Sequence, residues 1–361
     1  MKPTFHTLTI KDLRKETADC CSIAFDVPAE LETAYQFTQG QYLTLKAMIN
    51  GEDVRRSYSI CTSPLDKELR VAVKQVEEGK FSTYANHTLK VGDTLEVMTP
   101  TGSFFTTLDS EQEKHYVGFA AGSGITPIIS ILKTVLETEP KSRFTLFYGN
   151  KNTKSIIFKE EIETLKNVYM ERLVVHYFLS REMLDAPLMN GRIDKEKCET
   201  IVDKLIDVNS IDECFSCGPE SMIFAVRDTL KEQGVDEKNI HFELFTSPLG
   251  KLGQEKKRKV KEENKGKVSN VTINLDGRAF VFDLPFGTDN LLDAALKQGA
   301  DLPYACKGGV CCTCKAKILE GSVDMEVNYA LEKEEVDNGF VLTCQAYPTT
   351  EKVVVDFDEL T

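Results

Sequence analysis

Residues 306–314 read CKGGVCCTC, and no other run constrains the chain as tightly. Cys306, Cys311 and Cys314 stand in a C-x4-C-x2-C pattern, and Cys344 follows far downstream in LTCQAYP. That spacing is one that holds a [2Fe–2S] cluster. A single loop must bend around two irons and turn backbone N–H groups toward the sulfurs. Gly308 and Gly309 permit that approach where bulkier residues would block it. Zinc sites more often pair two short-spaced knuckles, and here the fourth cysteine stands alone; zinc or plain thiols are the alternative reading. Cys312 falls outside the pattern and is expected to point away from the irons as an ordinary thiol.

Composition points the same way. Eleven cysteines, an odd number with no secretion signal, argue for reduced thiols or metal ligands rather than a disulfide framework. The opening MKPTFHTLTI lacks a basic start and apolar run, and no apolar stretch approaches the roughly 18 residues of a membrane span, so a cytoplasmic protein is expected. A net charge of −13 disfavours nucleic acid and anionic membrane surfaces as partners.

A length of 361 residues with 41% hydrophobic content is enough for two or three globular cores. The clearest seam is GKLGQEKKRKVKEENKGK, with eight basic and three acidic residues and almost nothing apolar, which reads as a solvated linker over 248–267. Beyond it, residues 268–361 carry sixteen acidic and seven basic side chains, a net of −9. Upstream, residues 1–110 hold short strand-like runs such as LRVAVKQV, where Leu69, Val71 and Val73 alternate with Arg70, Ala72 and Lys74; an antiparallel barrel is expected. Residues 111–247 alternate strand and helix patterns, the rhythm of a parallel α/β sheet. Pro127 and Pro219 are expected at the first position of two helices that begin at strand ends.

Those strand ends are candidate ligand sites. In AAGSGITP, Gly122, Ser123, Gly124 and Thr126 form a tight turn into a helix whose free N–H groups can hold a pyrophosphate. Pro127 replaces the third glycine of the usual dinucleotide fingerprint. SCGPESM places Cys217, Gly218 and Pro219 at a second strand end. The five histidines are dispersed without metal-site spacing, and AGSGI lacks the spacing of a serine-hydrolase elbow.

Two segments carry a family resemblance. RSYS, residues 56–59, resembles the R-x-Y-[ST] motif of the ferredoxin–NADP reductase superfamily, and Gly79, Lys80, Phe81 and Ser82 resemble its second G-x-x-S element. NLLDAALKQGADLPYACKGGVCCTCKAKILEG with FVLTCQAYPTTEKVVVDFDE resembles a plant-type ferredoxin, which implies an α+β β-grasp domain whose cluster is held by Cys306, Cys311, Cys314 and Cys344. The resemblance implies that Arg56 pairs with the flavin pyrophosphate, that Tyr58 packs on the isoalloxazine and that Ser59, with Ser57 beside it, lies near flavin N5. It also sets Cys217 beside the nicotinamide and puts Glu243 and Phe245 of HFELF near the flavin, so Ser59, Cys217 and Glu243 are the expected catalytic groups. Ser180 and Arg181, after LVVHYFLS, resemble the segment that holds the 2′-phosphate of NADPH.

The domain order covers nearly the whole chain and is most similar to reductase components of phenylacetyl-CoA epoxidases. Reductases of ketosteroid hydroxylases, desaturases and the hybrid-cluster protein share that order. The implied cofactors are FAD, a [2Fe–2S] cluster and NADPH or NADH, with a terminal oxygenase as acceptor. FMN, used by phthalate dioxygenase reductases, is the alternative flavin. A redox-sensing flavin and iron–sulfur protein without turnover is the non-enzyme alternative.

Overall fold

The computed structural model describes residues 3–245 and 266–359. Its contacts divide into two units, one of Phe5–Val54 and Tyr58–Phe245, the other chiefly of the C-terminal region. Apart from Gly266 and Lys267, the expected linker lies outside the described residues.

The first sheet comprises β1 (Phe5–Thr17), β2 (Cys20–Asp26), β3 (Tyr42–Ile49), β4 (Glu52–Ser59), β5 (Leu69–Lys74) and β6 (Thr94–Met98), in the order β4-β3-β6-β1-β2-β5. β1 pairs antiparallel with β2 and with β6, β2 with β5 and β3 with β6, as expected. A bridge from Ile60 to Val71 brings the chain just past β4 onto β5, so the two edges of the sheet meet. Helix α1 (Lys80–His87) follows β5. Both faces of β5 are buried. Leu69, Val71 and Val73 enter the barrel core while Ala72 packs into the core beneath the next sheet. Arg70 is only 3% exposed, and its guanidinium meets Asp12, Glu68 (2.7 Å) and Ser22 (2.8 Å). A buried charge persists only with such pairing.

The second sheet is parallel, with β7 (His115–Ala121), β8 (Arg143–Asn150), β9 (Leu173–Leu179), β10 (Glu213–Cys217) and β11 (Ile240–Glu243) in the order β11-β10-β7-β8-β9. Helices α2 (Ile125–Thr138), α3 (Lys159–Val168), α4 (Lys195–Lys204) and α5 (Glu220–Glu232) connect them. Strand order reverses between β7 and β10, which makes the carboxyl ends of those strands the topological switch point where ligands bind in open α/β sheets. The central strands are buried on both faces, which is why they read as continuous apolar runs.

Helix α2 is nearly submerged. Ile125, Ile128, Ile129, Leu132, Val135 and Leu136 are at most 1% exposed, each contributing about 1.5–3 kcal/mol by burial. Its other face is polar and docks on the loop that follows β4. Ser130 Oγ donates to the Thr62 carbonyl (2.6 Å), and Lys133 Nζ reaches Asp66 (2.6 Å) and Glu161 (2.8 Å). Asp66 also accepts from the Ser63 amide (2.9 Å), closing the turn that the helix grips. The prolines sit slightly off their expected positions. A 3-10 turn over Gly122–Gly124 leads into α2, so Pro127 is its third residue, and Pro219 is the N-cap of α5 rather than its first residue. Both shifts cost little, because first-turn N–H groups have no intrahelical acceptor.

In the C-terminal unit, β12 (Val268–Leu275), β13 (Arg278–Pro285), β14 (Lys315–Glu320), β16 (Phe340–Leu342) and β18 (Lys352–Asp356) form a mixed sheet in the order β13-β12-β18-β14-β16. The central β12 and β18 run parallel, and α6 (Leu291–Lys297) contributes Leu291, Leu292, Ala294 and Ala295 to the core. Short strands β15 (Val323–Met325) and β17 (Ala346–Pro348) pair nearby, and α7 (Lys333–Asp337) precedes β16. This is the expected α+β arrangement. No helix among the described residues is long and apolar enough to cross a membrane.

Candidate electron-transfer site

Strand β4 ends in the RSYS run. Arg56 is exposed, its Nη1 donating to the Arg55 carbonyl (2.7 Å); Ser57 and Tyr58 are half-buried and Ser59 is buried. The Tyr58 ring lies 5.6 Å from the Phe81 ring, tilted by 38°. Phe81 is 1% exposed and belongs to the barrel core, so it backs Tyr58 from inside. Gly79 caps α1, and a side chain there would collide with Ser82 Oγ. That hydroxyl accepts from the Val76 amide (3.2 Å) and donates to the Gly79 carbonyl (3.2 Å), so Ser82 fixes the turn into the helix. Lys80 is exposed and paired with Glu52. A flat ring backed by the barrel core, beside a helix start, fits a flavin nucleotide.

Ser59 Oγ donates to Glu243 Oε2 at 3.0 Å, joining the end of β4 to the end of β11. Burial pushes the Glu243 carboxyl up to about 7, while the Ser59 hydroxyl pulls the other way. Cys217 lies opposite Glu243 in the β10–β11 register and opposite Ala120 on β7. It is fully buried, and burial, then Glu243, raises its thiol well above the ordinary range, so it stays protonated. Leu244 is buried and Phe245, at the edge of the described residues, is 40% exposed.

The nucleotide turn is set by close approach. A Cβ on Gly124 would overlap the Cys217 carbonyl, and one on Gly218 would come 3.1 Å from the Ala121 side chain, so the ends of β7 and β10 meet only because both positions are glycine. Tyr148 donates to the Gly122 carbonyl (3.0 Å), and Thr126 Oγ1 to that of Ser123 (3.0 Å). These bonds face carbonyls inward at the N-terminus of α2, a setting that favours an anion. Pro219 holds the equivalent place at the start of α5.

Sequence reasoning missed Lys74. This last residue of β5 brings Nζ to 3.6 Å from where a Gly122 side chain would begin, placing a cation beside the turn. Its position at the end of an alternating strand, followed by a glycine-containing loop, was the one available signal. Ser180 and Arg181 stand past β9: their amides donate to the Asn150 (3.0 Å) and Lys151 (2.7 Å) carbonyls, and the Arg181 side chain is exposed. Glu182 is turned away, accepting from the Thr153 amide (2.8 Å) and hydroxyl (2.7 Å).

The cysteine loop runs between α6 and β14, and Cys344 follows β16. Among the described residues no three or more His, Cys, Asp or Glu side chains are arranged to hold a single metal ion. The thiols instead contact one another in series. Cys306 Sγ and Cys311 Sγ are 3.1 Å apart, and Cys344 interacts with both Cys306 and Cys314. The Gly308 amide donates to Cys306 Sγ (3.3 Å), and the neighbouring thiols, then the Gly308 and Val310 amides, hold Cys306 well below the usual thiol range. A low-pKa thiolate among buried sulfurs, with amides aimed at it, fits an iron–sulfur cluster. Cys312 instead donates to the Ala330 carbonyl (3.0 Å).

Barrel, switch-point sheet and cysteine loop in one chain define an iron–sulfur flavoprotein of the pyridine-nucleotide-dependent reductase class. Residues 7–106 match the oxidoreductase FAD-binding domain, 119–228 the oxidoreductase NAD-binding domain and 273–349 the 2Fe-2S iron-sulfur cluster binding domain. The chain is 48% identical over 355 residues to a component of the 1,2-phenylacetyl-CoA epoxidase from Escherichia coli K12, covering 98% of each. It is 34% identical to the ferredoxin reductase component of 3-ketosteroid-9-alpha-monooxygenase from Rhodococcus rhodochrous, covering 97% of this chain and 96% of that one. Phthalate dioxygenase reductase shares the fold over 98% of both chains, with a TM-score of 0.58 and 21% identity. The chain belongs to the family of oxygenase reductases that join FAD-binding, NAD-binding and [2Fe–2S] domains in one polypeptide.

Proposed function

We propose that this reductase supplies electrons to the oxygenase of a phenylacetyl-CoA epoxidase, working in the cytoplasm with NADPH as the preferred donor. The observation that carries the acceptor is the 48% identity, over 98% of both chains, to an epoxidase component, against 34% for the ketosteroid reductase. Eleven free cysteines support a reducing compartment. Functional boundaries at 1–110, 111–247, 248–267 and 268–361 are supported by the matched ranges.

When bound, the flavin takes a hydride from the nicotinamide and passes its electrons singly to the cluster. The protein's part is to bind and orient. Arg56 holds the flavin pyrophosphate, with Ser57, Gly79, Lys80 and Ser82 shaping its cradle, and Tyr58, backed by Phe81, covers the ring. Gly122, Ser123, Gly124 and Thr126, with Lys74, hold the nucleotide pyrophosphate, while Ser180 and Arg181 take the 2′-phosphate. Cys217, Gly218 and Pro219 border the nicotinamide, and Phe245 stands in for it when the nucleotide is absent. The Ser59 hydroxyl and Glu243 carboxyl hold or release a proton beside flavin N5. Cys306, Cys311, Cys314 and Cys344 ligate the irons.

Reconstitution tests the acceptor. The purified holoenzyme, mixed with a phenylacetyl-CoA epoxidase oxygenase or a ketosteroid hydroxylase oxygenase, is expected to form epoxide in the first mixture with matching NADPH consumption. Efficient turnover of the steroid system with none of the epoxidase would overturn the assignment.

A further inference from the structure

We propose that Gln345 donates a hydrogen bond to the sulfur of the ligand Cys344 and so raises the reduction potential of the cluster. Gln345 Nε2 lies 3.8 Å from Cys344 Sγ and 3.1 Å from the Lys307 carbonyl. A carboxamide nitrogen carries two hydrogens, and these are two acceptors. One side chain therefore clasps the last ligand to the loop that carries the first.

The donor is held in place from several sides. The Gln345 amide donates to the Leu342 carbonyl (2.8 Å), and its own carbonyl accepts from the Glu326 amide (3.0 Å), so its backbone is tied in both directions. Its Cγ packs over Gly309, where an added Cβ would come within 3.2 Å of it and where φ is +73°. Lys307 presents its carbonyl from a left-handed conformation, φ 50°, with Nζ paired to Asp293 (2.7 Å) and lying 4.7 Å from the centre of the Tyr304 ring.

Reduction adds negative charge to the cluster and its thiolates. A donor aimed at a ligand sulfur stabilises the reduced form more than the oxidised one, which raises the potential. The inference rests on the cluster ligands and is independent of which oxygenase is served.

The test is an anaerobic potentiometric titration of the holoenzyme, following flavin and cluster separately, for wild type, Gln345→Leu and Gln345→Glu. The cluster potential is expected to fall in Gln345→Leu and further in Gln345→Glu, whose carboxylate cannot donate, while the flavin potential and iron content stay unchanged. A merely structural role would lower iron content without moving the potential of the clusters that remain. An unchanged cluster potential in fully loaded Gln345→Leu overturns the proposal. Should the variants lose iron, pulsed EPR of reduced wild type labelled with 15N at glutamine side chains decides: a coupling from that nitrogen supports the contact, and its absence refutes it. A wild-type protein without the cluster spectrum would instead fail the ligand assignment itself.

Discussion

Ser59 Oγ and Glu243 Oε2 are 3.0 Å apart, one at the end of a barrel strand and the other at the end of the last strand of the parallel sheet. The pair is a hydrogen bond between two chain segments 184 residues apart in sequence, with a carboxyl poised near neutrality. Between its ordinary pKa of 4.5 and about 7, the folded protein keeps a proton on Glu243 that the unfolded chain releases, so this group's contribution to stability declines as pH rises through that window. Glu243→Gln should flatten that slope, read as the urea midpoint at pH 5 and pH 8. Flavin reduction by NADPH in wild type should titrate with an apparent pKa near 7, and the variant's profile should be level.

Gly124→Ala would force its methyl group into the Cys217 carbonyl. Overpacking of this kind typically costs about 1–3 kcal/mol. A lower thermal midpoint and sharply weakened nucleotide binding are expected, with flavin content retained because the barrel is untouched. Isothermal titration with NADP⁺ beside a flavin absorbance spectrum checks both.

Cys312 donates to the Ala330 carbonyl and falls outside the C-x4-C-x2-C spacing. Cys312→Ser should leave the visible spectrum and iron content close to wild type, whereas Cys344→Ser should bleach the cluster. Iron loss from Cys312→Ser would contradict the ligand assignment.

The C-terminal residues 268–361 carry a net charge of −9, which favours a basic docking face on the acceptor. Screening shortens from about 10 Å at 0.1 M salt to about 3 Å at 1 M. Electron delivery to the oxygenase should therefore fall with salt more steeply than ferricyanide reduction, which needs no protein partner. Parallel salt curves would remove the electrostatic argument.

Arg181 is exposed past β9, while the carboxylate of the adjacent Glu182 is engaged by the Thr153 amide and hydroxyl. A charge-assisted contact is worth about 1.5–3 kcal/mol. Arg181→Ala should weaken NADPH use by about one to two orders of magnitude and leave NADH nearly unaffected. A parallel decline with both nucleotides would show that Arg181 does not read the phosphate.

Much of this architecture was legible because its signals are local. The C-x4-C-x2-C run, the glycine turns and the apolar runs are each short stretches of consecutive residues, and the three domains follow from them. What escaped depends on distant partners. Arg70 and Lys133 look like solvent-facing residues in LRVAVK and SILKTVL, yet they are 3% and 9% exposed, with Asp12 paired to Arg70 and Asp66 and Glu161 to Lys133 from elsewhere in the chain. Lys74 likewise acquires meaning only once β5 is folded beside Gly122. The proline offsets arose because a 3-10 turn and an N-cap position satisfy the same backbone rule as the first helical residue.

The grip of α2 on the loop after β4 bears on how such enzymes can be recombined. Ser130 and Lys133 belong to one domain by sequence, whereas Thr62, Ser63 and Asp66 belong to the other. A chimera that joins this barrel to a foreign nucleotide domain at residue 110 would strand Asp66 without its cation and the Thr62 carbonyl without its donor. The unit of exchange is therefore the barrel together with the matching face of that helix, and grafts should carry positions 130 and 133 along with the flavin half.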